Sequence, residues 1–157
     1  MTSGNTHLIF EGEDQVPSPV KIFGLQFNYN GNYRIQLRIK NDAGTYAFGS
    51  YITISNDWHI VEIEWQASTG PGANNGFMNM WIDNVLVSSA SNVDNDTRGV
   101  DSAYLGGTDS LDAGTSGTML FDAFDSRRQT FIGPVNSAET SITESAETYT
   151  STATDIP

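Results

Sequence analysis

Two glutamates stand two residues apart in the run "VEIEW" at 61–65. On an extended strand residues i and i+2 share a face, at a separation near the ~5–5.5 Å between the nucleophile and the acid/base of a retaining glycoside hydrolase. Glu62 and Glu64 are therefore the candidate pair for cleaving a sugar linkage, against the simpler expectation of two glutamates on a wet strand face. Other catalytic groups are sparse. The histidines are His7 and His59, and no serine lies in a G-x-S-x-G turn, so no nucleophile triad is expected. His59 is expected to be a packed or hydrogen-bonded strand residue. The absence of cysteine removes thiol catalysis, disulfides and zinc-thiolate sites.

Oxygen-rich loops offer a different chemistry. The stretch "NVDNDTRGVD" at 92–101 gathers Asp94, Asn95, Asp96 and Asp101, and calcium takes roughly six to eight oxygens of this kind. The spacing lacks the glycine and terminal glutamate of an EF-hand. The alternative is a set of turn-forming side chains that bond their own backbone. A sugar site needs an aromatic platform with amide and carboxylate partners. In "FMNMWID" at 77–83, Asn79, Trp81 and Asp83 alternate away from Met78, Met80 and Ile82. Tyr46, with Phe48 and Tyr51, is expected to extend that patch from neighbouring strands, while burial of Trp81 in the core is the competing expectation. Asp122, near Arg127 and Arg128, reads as an ion-paired lock at the end of a strand at 118–126.

The elements that must hold these groups are short strands. In "YRIQLRIK" at 33–40, Tyr33, Ile35, Leu37 and Ile39 alternate with charged or polar residues, a period of two with one buried face. Further strands are expected at 20–27, at "TYAFG" and "YITIS" within 45–55, at 59–65, at 77–89, at 103–107 and at 118–126. Gly, Asn and Asp turns separate them, and Asp83-Asn84 can supply the positive φ angles of a tight hairpin. Such a series indicates an antiparallel sandwich or barrel. At 157 residues the chain has room for one domain, assigned to 1–134. A net charge of −12 with only seven Lys and Arg argues against nucleic acid and anionic membranes. No apolar run approaches the ~20 residues of a membrane span. The opening "MTSGNTHLIF" has neither the basic start nor the apolar stretch of a signal peptide, so a cell-surface location requires an export signal outside these residues.

Beyond Pro134 the composition turns to Thr, Ser and Glu, which cannot bury a core. The tail, 135–157, is expected to be a linker or a donor strand. Thr148, Thr150, Thr152 and Thr154 alternate with other residues, and β-branched residues at period two are strand-competent.

The ordered series Trp58-His59, then Trp81-Ile82-Asp83-Asn84-Val85, then "FDAF" at 121–124 with Ser126-Arg127-Arg128 and Phe131-Ile132-Gly133, resembles the laminin-G-like, concanavalin A-like lectin-glucanase domains, especially bacterial extracellular versions. The resemblance spans 33–134. It implies an all-β, antiparallel jelly-roll β-sandwich. Asn84 stands where the family has glycine, a mild change because Asn tolerates the left-handed region. The family has several more strands ahead of residue 20, so the chain is expected to be a compact variant or to lack N-terminal strands, leaving sticky edges. Glycosidases of this fold carry three acidic residues on one strand face, and "VEIEW" supplies two.

The expected function is a non-catalytic extracellular adhesion or glycan-binding module. Its partner would be a glycan or cell-surface protein, its ligand residues Trp81, Asn79, Asp83 and Tyr46, and its cation calcium at Asp94, Asn95, Asp96 and Asp101. The alternative is a self-assembling structural subunit that forms homo-oligomers by adding its tail as a strand to a neighbour. Glycoside hydrolysis is the third reading.

Overall fold

The computed structural model describes residues 6–109, 111 and 115–134; the tail, and with it the expected strand at 148–154, lies outside them. Nine strands follow in chain order: β1 (Thr6–Asp14), β2 (Val20–Tyr29), β3 (Tyr33–Lys40), β4 (Tyr46–Phe48), β5 (Ile52–Ile54), β6 (Val61–Gln66), β7 (Gly76–Ile82), β8 (Val85–Val93) and β9 (Ser102–Asp109). They form two antiparallel sheets. The larger runs β4-β3-β2-β1-β9 with β5 also on β3, and the smaller runs β6-β7-β8. Among the described residues there is no helix, and so none long and apolar enough to cross a membrane.

Period two builds the core. Ile35, Leu37 and Ile39 of β3 pair with Phe27, Leu25 and Phe23 of β2 on the inner face. From the other sheet Met78, Met80 and Ile82 join the same cluster, so the two layers pack face to face in the manner of a β-sandwich. Trp65 of β6 brings its ring to 5.8 Å from Phe23. The β7–β8 hairpin turns on Asp83 and Asn84, whose φ angles of 51° and 67° are those a tight turn of this hand demands. β4 and β5 pair with opposite ends of β3 and act as one edge strand interrupted at 49–51. The larger sheet closes onto the smaller there, where Ser88 Oγ donates to Ser50 O.

Two expectations fail. The first strand is not at 20: β1 lies in the interior of the larger sheet, bonded to β2 on one side and β9 on the other. Its register shifts between Leu8 and Phe10, so Leu8 and Ile9 are both buried and the alternation is erased. The second failure is at 118–126, which forms no strand. Asp122 accepts from the Ala123 N–H beside it (2.8 Å), and Ala123 sits at φ 52°, a left-handed turn that breaks an extended chain. The expected lock of Asp122 with the arginines is absent as well; Arg127 pairs with Asp125 at 3.1 Å, both half exposed.

Among the described residues a three-stranded sheet therefore faces a six-stranded one. β7 and β8 approach β3 and β4, whereas the roof against β1 is irregular chain, with Phe124 at 6.0 Å from Phe10. That roof stays wet: Leu120 is 67% exposed, Phe124 59% and Phe121 43%.

Candidate functional site

The outward face of the smaller sheet carries two cross-strand rows, fixed by register. Glu62, Trp81 and Leu86 make one, and Glu64, Asn79 and Ser89 the other. Direct opposition places such side chains within contact distance. The polar row is joined end to end: Asn79 Nδ2 donates to Glu64 Oε2 at 3.2 Å, and Ser89 Oγ donates to Asn79 Oδ1 at 2.7 Å. The first row is covered by the chain itself. Phe131 stacks at a tilt on Trp81 with centroids 4.8 Å apart, and Gly133 N donates to Glu62 Oε1 at 3.0 Å. Both glutamates of the candidate hydrolytic pair are thus engaged by neighbours within the chain.

Of the four expected ligand residues, the structure brings together Trp81 and Asn79. Asp83 belongs to the hairpin turn, where its carboxylate accepts from His59 Nδ1 (2.8 Å) and Ile60 N (3.0 Å). The His59 hydrogen bond, reinforced by the Ile60 N–H, holds its carboxyl below the usual aspartate range. Tyr46 lies in the other sheet, so it cannot extend the Trp81 patch. Its hydroxyl donates to Lys21 O (2.8 Å), and its ring carries Arg38 at 4.4 Å and Lys40 at 4.9 Å. Burial raises its phenol above the ordinary value against the pull of Arg38 and Lys21. Tyr51 likewise lies under Arg34 at 4.5 Å. Leu86, Ser89 and Phe131 went unread as members of the site; Leu86 is recoverable from the hairpin register, whereas Ser89 reaches Asn79 only through the register shift between Met80 and Trp81, and Phe131 carries no such signal.

The expected calcium set divides. Asp94 and Asp96 converge with Asp42 of the β3–β4 turn, their carboxylate oxygens all within 4.8 Å of one another. Asn95 points the other way, fully buried, where it and Ser68 exchange hydrogen bonds of 2.8 and 2.9 Å. Asp101 sits elsewhere, accepting from Gln15 N at 2.9 Å. The three carboxylates are already tied into a loop clamp. Asp42 accepts from Thr97 Oγ1 and has Arg98 Nε at 3.5 Å, while Asp94 accepts from Gly72 N at 3.1 Å. Arg98 also donates to the carbonyls of Asn41 (3.2 Å) and Asp42 (2.9 Å). Lost hydration, a hydrogen bond that the protonated carboxyl donates to Asp42, and the negative charges of Asp42 and Asp94 push the Asp96 carboxyl above its ordinary value.

The arrangement as a whole can hold an extended or planar ligand by hydrogen bonds along the Glu64–Asn79–Ser89 row, and an apolar one on the wet roof. No protein-family model, curated protein or solved structure matches the chain.

Proposed function

We propose that the chain is an extracellular adhesion and assembly module, a jelly-roll of the laminin-G-like kind whose smaller sheet is completed by a strand from another copy. One observation carries this reading: among the described residues three strands face six, and part of the larger sheet is covered instead by an apolar segment that remains exposed. Among the described residues β6 pairs with β7 alone, so its outer edge offers unpaired backbone groups beside exposed Val61. Such an edge accepts an added strand, with main-chain bonds giving affinity and alternate side chains giving specificity. The occupant is the Thr-rich tail of a neighbouring copy. Its β-branched residues recur at period two, and the chain leaves Gly133 at Glu62 of β6 with 23 residues to follow Pro134. The tail also carries Glu139, Glu144, Glu147 and Asp155 without one Lys or Arg, matching the exposed Arg127 and Arg128 of the roof.

Light scattering after size exclusion tests it, comparing the full chain with one ending at Pro134. Oligomers of the full chain that vanish on truncation are expected. Equal masses for the two overturn the reading, as does a full-length monomer that truncation merely destabilises, since the tail then serves its own sheet.

Glycan recognition is the second reading, favoured by the Glu64–Asn79–Ser89 row, whose amide and carboxylate suit sugar hydroxyls. Asn79→Ala should then abolish retention on a glycan panel while leaving the oligomer intact; retention unaffected by this change removes the row from consideration. Calcium is no part of the proposal: Asp42 already accepts from Thr97 Oγ1 and has the Arg98 guanidinium 3.5 Å away.

A further inference from the structure

At the turn end of the smaller sheet three polar side chains form a continuous hydrogen-bonded chain. β5 ends at Ile54, and the next residue, Ser55, begins the exposed turn "SNDW" that leads to His59. Ser55 Oγ lies 2.9 Å from His59 Nε2, and His59 Nδ1 lies 2.8 Å from Asp83 Oδ2. The orienting carboxylate is itself anchored: Asp83 Oδ1 accepts from Ile60 N at 3.0 Å, and Asp83 N donates to Ile60 O at 2.9 Å.

This order fixes the tautomer of the neutral ring. An ionised Asp83 can only accept, so Nδ1 must carry the ring proton. Nε2 is then left with its lone pair toward Ser55, whose O–H donates to it. The result is a nucleophile, a base in contact with it, and a carboxylate that orients the base. Clamping the turn to the 55–60 loop requires only the His59–Asp83 half of the chain. The Ser55 contact adds a hydroxyl polarised by a base and open to solvent. Beside it Trp58 is 67% exposed, an apolar surface for the acyl part of a small ester. Asn56 follows the nucleophile directly, the position whose N–H contributes to the oxyanion hole in nucleophile-elbow enzymes.

We propose that Ser55, His59 and Asp83 constitute an acyl-transfer site that hydrolyses small, activated carboxylic esters. In the first half-reaction Ser55 Oγ bonds to the ester carbonyl carbon while its proton passes to His59 Nε2. The ester C–O bond then breaks, and the leaving alcohol takes that proton. Water repeats the sequence on the acyl-serine, with His59 again accepting and returning the proton, and releases the carboxylic acid with Ser55 restored. No electrons are gained or lost.

The probe is p-nitrophenyl acetate with the full chain, read by p-nitrophenolate release and by peptide mass mapping of the acetylated residue. Ser55→Ala removes one exposed hydroxyl and leaves the Asp83 clamp in place, so its melting temperature should equal that of the parent. The expected result is acetylation of Ser55 in the parent and a loss of release on the order of 10²-fold or more in Ser55→Ala. Asp83→Asn should produce a comparable loss through the wrong tautomer, with Ser55 still present. Acetyl groups on lysines alone, or release unchanged in Ser55→Ala, overturn the proposal. Assembly through the tail is untouched by these variants, so each idea fails by its own readout.

Discussion

The two layers that cover the larger sheet meet different fates with similar side chains. Under β7 and β8, Ile35, Leu37, Ile39, Met78 and Met80 lose essentially all contact with water. Under the segment at 115–134, Phe10 meets Phe124, yet Leu120, Phe121 and Phe124 remain wet. Apolar content is comparable, so hydrophobicity alone does not decide the outcome. What differs is the backbone of the covering layer. β6 and β8 each share a backbone ladder with β7, which lets the three lie flat on the core. The roof has no ladder, turns left-handed at Ala123, and must keep its peptide groups near water.

The largest effects should separate the layers. Met80→Ala opens a cavity at a fully buried site and should cost about 2–5 kcal/mol. Phe121→Ala, a larger truncation, should cost less than about 1 kcal/mol, because its ring is already partly in water. Urea denaturation of the two variants is the measurement. Equal costs would mean that the roof is as firmly packed as the strand layer, and the comparison would collapse.

A smaller effect tests where the roof ends. Phe131 is the point at which the segment reaches the outward face of β7, on Trp81. Phe131→Ala should lose about 0.5–1.5 kcal/mol of ring contact and shift Trp81 emission to the red. Placing both chains in a Trp58→Phe background removes the exposed indole from the signal. Unshifted emission would show that the roof does not cover Trp81, and would return that ring to service as a sugar platform.

Legibility in the sequence followed the same division. β3 and β7 were readable because one face of each is buried by a regular partner, which leaves a strict period of two. The Asp83-Asn84 turn was readable from its chemistry. β1 was not, because the register shift at Ile9 buries consecutive residues and removes the alternation that marks a strand. The segment at 118–126 misled in the opposite sense: apolar residues at alternate positions promise a strand, but a strand also needs a partner edge, and Asp122 bonds its own backbone instead. The candidate site was half legible. Trp81 and Asn79 share a face by parity, whereas parity does not say that Tyr46 belongs to the other sheet. Asp42 reaches Asp94 and Asp96 from a turn some fifty residues earlier, and Asp83 reaches His59 from a hairpin turn later in the chain. Those contacts depend on how hairpins stack, which no local spacing encodes.

The smallest expected effect concerns the acidic loop, which belongs to the well-ordered layer and ties the β3–β4 turn to the end of β8. Asp96 has its carboxyl raised by lost hydration and by Asp42 and Asp94, so the folded state holds its proton more tightly than the unfolded chain. A raised group contributes stability below its unfolded pKa and loses it as the pH climbs through the folded value. At neutral pH Asp96 is therefore charged against its surroundings, and Asp96→Asn should raise the melting temperature there. The gain should fade as the pH falls through the carboxylate range, where the parent is protonated too. Millimolar calcium should leave the parent unchanged if Arg98 and Thr97 complete the clamp. A calcium-dependent rise in the parent that Asp96→Asn abolishes would show instead that the three carboxylates take a cation and that the loop is stiffened from outside.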